Sequence, residues 1–194
     1  MKRFILILSV LLPCVVLYKF HTKTTKIPLP KGELRWSTTK PKRAKICVPA
    51  AFTSTNNKVI GSYRIKGKSY KTNNKYKVSL NNNTFSINKS WTSSNGFQQL
   101  ILVRNNKSYR FKSSDRSIRR ALCKNGNETF ILESNYPMTM TAFAYYCNKR
   151  CSDAVYLDMG EYGYGYVRYG LIKIPLHFIG FICKYKQTNW LYIV

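Results

Sequence analysis

Residues Arg116 to Gly170 read RSIRRALCKNGNETFILESNYPMTMTAFAYYCNKRCSDAVYLDMGEYGYGYVRYG, and this stretch decides the fold. It spells a strand, a turn at Asn125-Gly126, a second strand, one short helix, a third strand and an exposed acidic Gly/Tyr loop. Asn-Gly is the strongest short hairpin signal, because both residues tolerate positive φ. The helix is expected over 141–149, with Thr139 or Thr141 as its cap and Phe143, Tyr146 and Cys147 on one face. Ala154 to Leu157 is an apolar run of strand length, and Asp158-Met159-Gly160-Glu161 follows it.

The same punctuation continues outward. QQLILVR and KSYRF flank Asn105-Asn106, a second hairpin. KVSL and TFSI are short strands in the Asn-rich stretch 73–95, and VIGSYRIKGK reads as a strand ending in Gly67. ICVPAAF is a short buried strand, and YGYVRYG, HFIGFICKY and NWLYIV close the chain as further strands. The expected class is α+β, mostly antiparallel sheet with one principal helix near 140–150.

Three segments are expected: 1–18, 19–45 and 46–194. Met1-Lys2-Arg3 is basic and Phe4 to Tyr18 almost wholly apolar, which is signal-peptide length. No small-x-small cleavage site follows, so residues 4–18 are read as a signal peptide or an uncleaved membrane anchor, and the chain as exported to the periplasmic or extracellular face. Lys19 to Lys45 holds nine Lys and Arg, one acid (Glu33) and three prolines. That composition cannot bury enough apolar area to fold alone, so it reads as a tether. The Lys/Asn/Ile/Tyr bias points to a low-GC, bacterial genome.

Beyond Arg3 the chain carries 31 Lys and Arg against 7 Asp and Glu, a charge of +24. Such a field draws polyanions. Outside the cytoplasm these are phospholipid head groups and phosphorylated sugars, so an anionic membrane surface is a candidate partner and nucleic acid is not expected. His21 and His177 are the only histidines, and neither neighbours a second ligand. No metal and no cofactor is expected, nor a histidine-based triad. Cys47, Cys123, Cys147, Cys151 and Cys183 are odd in number, so at least one thiol stays free if bridges form.

Acids are scarce, so each is weighed. Glu33, Asp115 and Glu128 read as solvated, and Glu133 and Asp153 as caps or lysine partners. Asp158 differs, because it leaves an apolar strand into a glycine loop, where site residues concentrate. The alternative reading is an Asp bonded to its own turn. Arg119, Arg120, Asp158 and Glu161 are the groups the unit could bring together. Guanidinium beside carboxylate suits a phosphorylated or sugar ligand.

In its order of motifs the chain resembles the phosphodiester glycosidase domain family over roughly residues 46–170. Gly61 to Lys68 fits that family's Gly-x-x-x-x-x-Gly-Lys hairpin. Arg119-Arg120-Ala121-Leu122-Cys123 fits its Arg-x-Ala-x-Gly strand. Pro137-Met138-Thr139 through Ala144 fits its helix start, and Leu157-Asp158-Met159-Gly160 its Leu-Asp-Gly-Gly. Val48-Pro49-Ala50-Ala51-Phe52 stands where the family has Asn-Gly-Gly-Phe-Phe.

The resemblance implies a hydrolase of a sugar phosphodiester acting at the glycosidic C1–O–P bond. Arg119, Arg120 and Gly160 would bind substrate, and Asp158 and Glu161 would be catalytic. The alternative is a catalytically degenerate cell-envelope protein that binds anionic glycans or phospholipid surfaces. Oligomeric state is not legible.

Overall fold

The computed structural model describes residues 22–71, 73–159, 166–169, 172–175 and 188–194, the segments 166–169 and 172–175 by backbone alone. Residues 4–18, Gly160, Glu161, Cys183 and both histidines lie outside the described residues. No described helix is long and apolar enough to cross a membrane.

Three antiparallel sheets build the molecule. The first has six strands in the order β1 (Thr24–Pro28), β12 (Glu128–Ser134), β11 (Arg120–Asn125), β13 (Asp153–Leu157), β9 (Ile101–Arg104) and β10 (Lys107–Ser108). The second runs β15 (Ile172–Pro175), β14 (Tyr166–Tyr169), β3 (Ile46–Pro49), β16 (Trp190–Ile193) and β2 (Leu34–Ser37). The third runs β5 (Lys68–Tyr70), β4 (Tyr63–Ile65), β8 (Gly96–Phe97), β6 (Lys77–Asn81) and β7 (Thr84–Asn88). Gly96 is obligatory in β8, since a Cβ there would stand 2.2 Å from the Val78 carbonyl oxygen.

Both faces of the first sheet are covered, which is why its central strands read as unbroken apolar runs. Side chains alternate across a strand. Leu122, Ile131, Val155 and Leu157 enter a core shared with Trp36, Val48, Phe85, Phe97 and Leu191 of the other sheets. Ala121, Cys123, Phe130, Leu132, Ala154 and Tyr156 face the opposite way, onto helix α1 (Met140–Asn148). Thr139 caps that helix by accepting the Ala142 N–H at 3.2 Å, and Met140, Phe143, Ala144 and Cys147 form its buried stripe.

The α+β class is corrected to a mainly-β fold. One nine-residue helix covers part of one sheet, while sheet-on-sheet packing makes the larger core. The antiparallel pairing and the helix near 140–150 are as expected.

Turn chemistry explains the hairpins. Asn105 and Asn106 sit at φ 49° and 60° between paired Arg104 and Lys107, as a type I′ turn requires. In the next hairpin Asn125 pairs with Glu128, so the two-residue loop is Gly126-Asn127, one step later than the sequence motif implies, with Gly126 at φ 56°. VIGSYRIKGK likewise holds β4 and the start of β5, turning on Lys66 and Gly67.

The segment read as a tether contains two strands. Thr24–Pro28 pairs with β12, and Leu34–Ser37 pairs with β16. Lys/Pro-rich chain does not fold alone, but here it adds to sheet edges that already exist. Leu34 and Trp36 go into the shared core while Arg35 faces out.

Cys123 and Cys151 form a disulfide, their Cα atoms 5.6 Å apart; Cys47 is buried, and Cys147 is a buried free thiol. Burial pushes the Cys147 thiol well above its ordinary value. The bridge ties β11 to the turn after α1 and closes 28 residues of chain. Its reduction should lower stability by about 3–4 kcal/mol. Urea unfolding of oxidised and reduced protein checks this, and coincident midpoints would contradict it.

Candidate functional site

Arg119 and Arg120 are neighbours in sequence and opposites in space. Arg120 opens β11 directly across from Glu133 on β12 and Leu157 on β13, on the shared-core face. It is 0% exposed, and its Nε and Nη2 both donate to Glu133 Oε2, at 2.8 and 2.6 Å. A guanidinium in that position is buried only because a carboxylate is buried with it.

Arg119, one residue earlier, turns to the helix face. Its backbone is clamped to Ser134: Arg119 N–H donates to Ser134 Oγ and the Ser134 N–H to Arg119 O, both at 2.8 Å. Its Nε donates to the Met138 carbonyl at 3.3 Å, and its Nη2 to the carbonyl and to Oδ2 of Asp115, at 2.9 and 3.3 Å. The guanidinium lies 6.0 Å from the Tyr156 ring. Arg119 is nearly buried whereas the Asp115 side chain is 73% exposed, so the cation is reached from outside through Asp115.

Tyr156 links Arg119 to Asp158. Burial pushes its phenol up; Arg119 draws it back by charge and hydrogen bond, and the Asp158 charge adds to the rise. The hydroxyl therefore stays protonated at neutral pH and can donate. Asp158 is 9% exposed, and its N–H donates to the Ala50 carbonyl at 2.8 Å. That bond ties the end of β13 to Ala50.

Ala50 belongs to the loop after β3, and the loop is held by two residues that the sequence reading did not single out. Asn189 is fully buried; its Oδ1 accepts the Ala51 N–H at 2.6 Å and the Trp36 Nε1–H at 3.2 Å, while its Nδ2 donates to Ala51 O at 2.8 Å. Gln99 Nε2 donates to Ala50 O at 3.1 Å, so Gln99 and Asp158 share one acceptor. Phe52, two residues after Ala50, places its ring 5.6 Å from that of Tyr156. Phe52 and Gln99 both line an open cleft of about 680 Å³.

Of the residues expected at a site, Arg119 and Asp158 flank Tyr156 on one face. Arg120 is on the other, held by Glu133. Glu161 and Gly160 lie outside the described residues. Among the described residues no group of three His, Cys, Asp or Glu could hold a metal ion. Tyr156 was hidden in an apolar strand. Its signal was the alternation that puts it one step from Asp158.

No family model matches the chain, and no curated protein matches it. Among solved structures the fold is similar to the zebrafish N-acetylglucosamine-1-phosphodiester alpha-N-acetylglucosaminidase catalytic domain, auto-inhibited by its pro-peptide. The likeness has a TM-score of 0.57 at 13% identity and covers 88% of this chain and 71% of that one.

The Arg120–Glu133 pair gives a sharp test of the geometry. Glu133→Gln removes a buried counter-charge from Arg120 and should cost about 3–5 kcal/mol. Arg120→Met combined with Glu133→Leu removes both charges and should recover most of that loss in chemical denaturation. A single Glu133→Gln variant as stable as the parent would refute the buried pair.

Proposed function

We propose that this protein is an exported, hydrolase-like member of the phosphodiester glycosidase family, acting on the C1–O–P bond of a sugar phosphodiester. The observation that carries the proposal is the Arg119–Tyr156–Asp158 group, set in a fold similar to that of a glycosidase. Arg119 is the phosphate-binding residue in this reading. Asp115 already puts a carboxylate oxygen on its Nη2. A phosphate oxygen would take the same donor and, being doubly anchored by a planar fork, would compete well for it.

Asp158 serves as acid/base or orients the sugar, and Tyr156 offers a proton donor beside it. Glu161, which follows Gly160 in sequence, is the proposed second carboxylate of a glycosidase pair. The disulfide fits an oxidising compartment and so supports export. The surplus of basic side chains favours residence at an anionic membrane surface.

One observation favours a binding protein instead. Val48–Phe52 lacks the asparagine of the family motif that it replaces, and its Ala50 carbonyl is occupied by Asp158 and Gln99. Turnover measurements separate the two readings. Asp158→Asn should keep the fold and lower sugar release from a sugar phosphodiester about 100- to 10,000-fold. Arg119→Lys keeps charge but loses the fork, so it should weaken phosphodiester substrates more than neutral glycosides. Arg119-dependent binding of phosphorylated glycans without any sugar release would establish the binding protein. Full turnover in both variants would remove these residues from the site.

Asp115→Asn should tighten binding of inorganic phosphate, because it removes the competing charge from Arg119. Unchanged or weaker phosphate binding, measured calorimetrically, would count against phosphate at that position.

A further inference from the structure

Three exposed hydrophobic side chains, Ile60 (50%), Leu100 (36%) and Tyr109 (41%), meet in the one cleft that Phe52 and Gln99 line. Scattered singly, such residues would need no explanation. Gathered in one concavity they mark a binding surface. The cleft, at about 680 Å³, has the size of a ligand pocket, and Phe111 extends its apolar wall.

Three of its amide side chains are engaged with the protein itself. Gln98 Oε1 accepts the Ser62 N–H at 2.9 Å and Asn73 Nδ2 at 2.7 Å. Gln99 Oε1 accepts the Leu100 N–H at 2.8 Å, and Asn73 Oδ1 accepts the Lys75 N–H at 3.1 Å. Gly61 lets Gln98 take this place: it sits at φ +90°, and a Cβ there would come within 2.9 Å of Gln98 Oε1. A sugar ring needs acceptors and donors around its rim, and these acceptors are engaged. An alkyl chain needs only the carbon surface that Phe52, Ile60, Leu100, Tyr109 and Phe111 supply.

Packed side chains connect the wall of the cleft to Arg119. Phe52 packs on Tyr156, Tyr156 lies against Arg119, and Gln99 shares the Ala50 carbonyl with Asp158. We infer that the cleft holds the apolar arm of an amphiphile whose phosphate sits at Arg119. The substrate class is then a sugar phosphodiester of an alkyl, acyl-bearing or isoprenoid alcohol. Hydrolysis at C1 adds water across the bond, frees the sugar and leaves the alkyl phosphate. The inference rests on the proposed role of Arg119.

Calorimetric titration of the full chain with inorganic, butyl, hexyl and octyl phosphate, kept below micelle-forming concentrations, tests it. Affinity should rise about fourfold for each added methylene until the cleft is filled. Leu100→Asp should abolish that dependence on chain length, as should Ile60→Asp. Both residues are exposed, so neither charge is buried on folding; circular dichroism verifies the fold, and Leu100→Ser serves if Leu100→Asp fails to fold. Octyl glucoside, which has the chain but no phosphate, should bind far more weakly than octyl phosphate. Arg119-dependent phosphate binding that is indifferent to chain length overturns the apolar arm and leaves the proposed function standing. Chain-length dependence that survives Arg119→Ala undamaged overturns the link between cleft and phosphate, and the role of Arg119 with it. Absence of binding by every phosphate overturns both.

Discussion

Arg120 and Glu133 face each other across β11 and β12 in an environment without solvent, and that pairing constrains everything around it. β11 and β12 are apolar on both faces, so hydrophobicity alone would hold them in more than one register. A slip by one residue would exchange the faces of every side chain. It would also leave a guanidinium and a carboxylate buried apart. Charge complementarity at one cross-strand position therefore excludes registers that apolar packing would tolerate. Polar burial here serves specificity more than stability, since a well-packed apolar pair could match it in energy.

That register decides what Arg119 can do. With Arg120 committed to the three-sheet core, Arg119 is sent to the helix face, beside Tyr156 and the exit of β13. The Ser134 hydroxyl and amide hold its backbone there, and the Met138 carbonyl, at the entrance to α1, takes its Nε–H. The helix closes one side of the arginine pocket and seals the face on which Tyr156 lies. The Cys123–Cys151 bridge fastens the far end of the same strand to the segment after the helix. β11 is thus fixed at both ends, by an ion pair and by a covalent bond.

Much of this was legible from residues close in sequence. The Asn turns, the capped helix and the apolar run before Asp158 are local features, and each was placed within a residue or two. The mainly-β class was less so, because one clear helix weighs more in a sequence than many short strands. β2 shows the other limit. Leu34-Arg35-Trp36-Ser37 alternates as a strand should, but its basic, proline-containing surroundings look unfoldable when taken alone. Its stability is borrowed from β16, about 150 residues away. Asn189 and Gln99 escape for the same reason, since they act on a loop that only the folded chain brings to them. The opposite facing of Arg119 and Arg120 was available from strand alternation. What the sequence lacked was the partner that says which arginine enters the three-sheet core.

The acids complete the logic of a chain with so much positive charge. Glu33, Asp115, Glu128, Glu133 and Asp153 each stand against an arginine or lysine. Lys26–Glu128 and Arg35–Glu33 are ordinary surface pairs that contribute little. The Arg119–Asp115 pair is different in kind, because one partner is buried and the other is almost free in solvent. A buried cation needs a counter-charge, but an exposed carboxylate on a loop is a replaceable one. The overall field concentrates anions near the surface, and at this position an anion can exchange with Asp115 without leaving Arg119 unpaired. In the proposed function, that exchange is how a phosphate would reach Arg119.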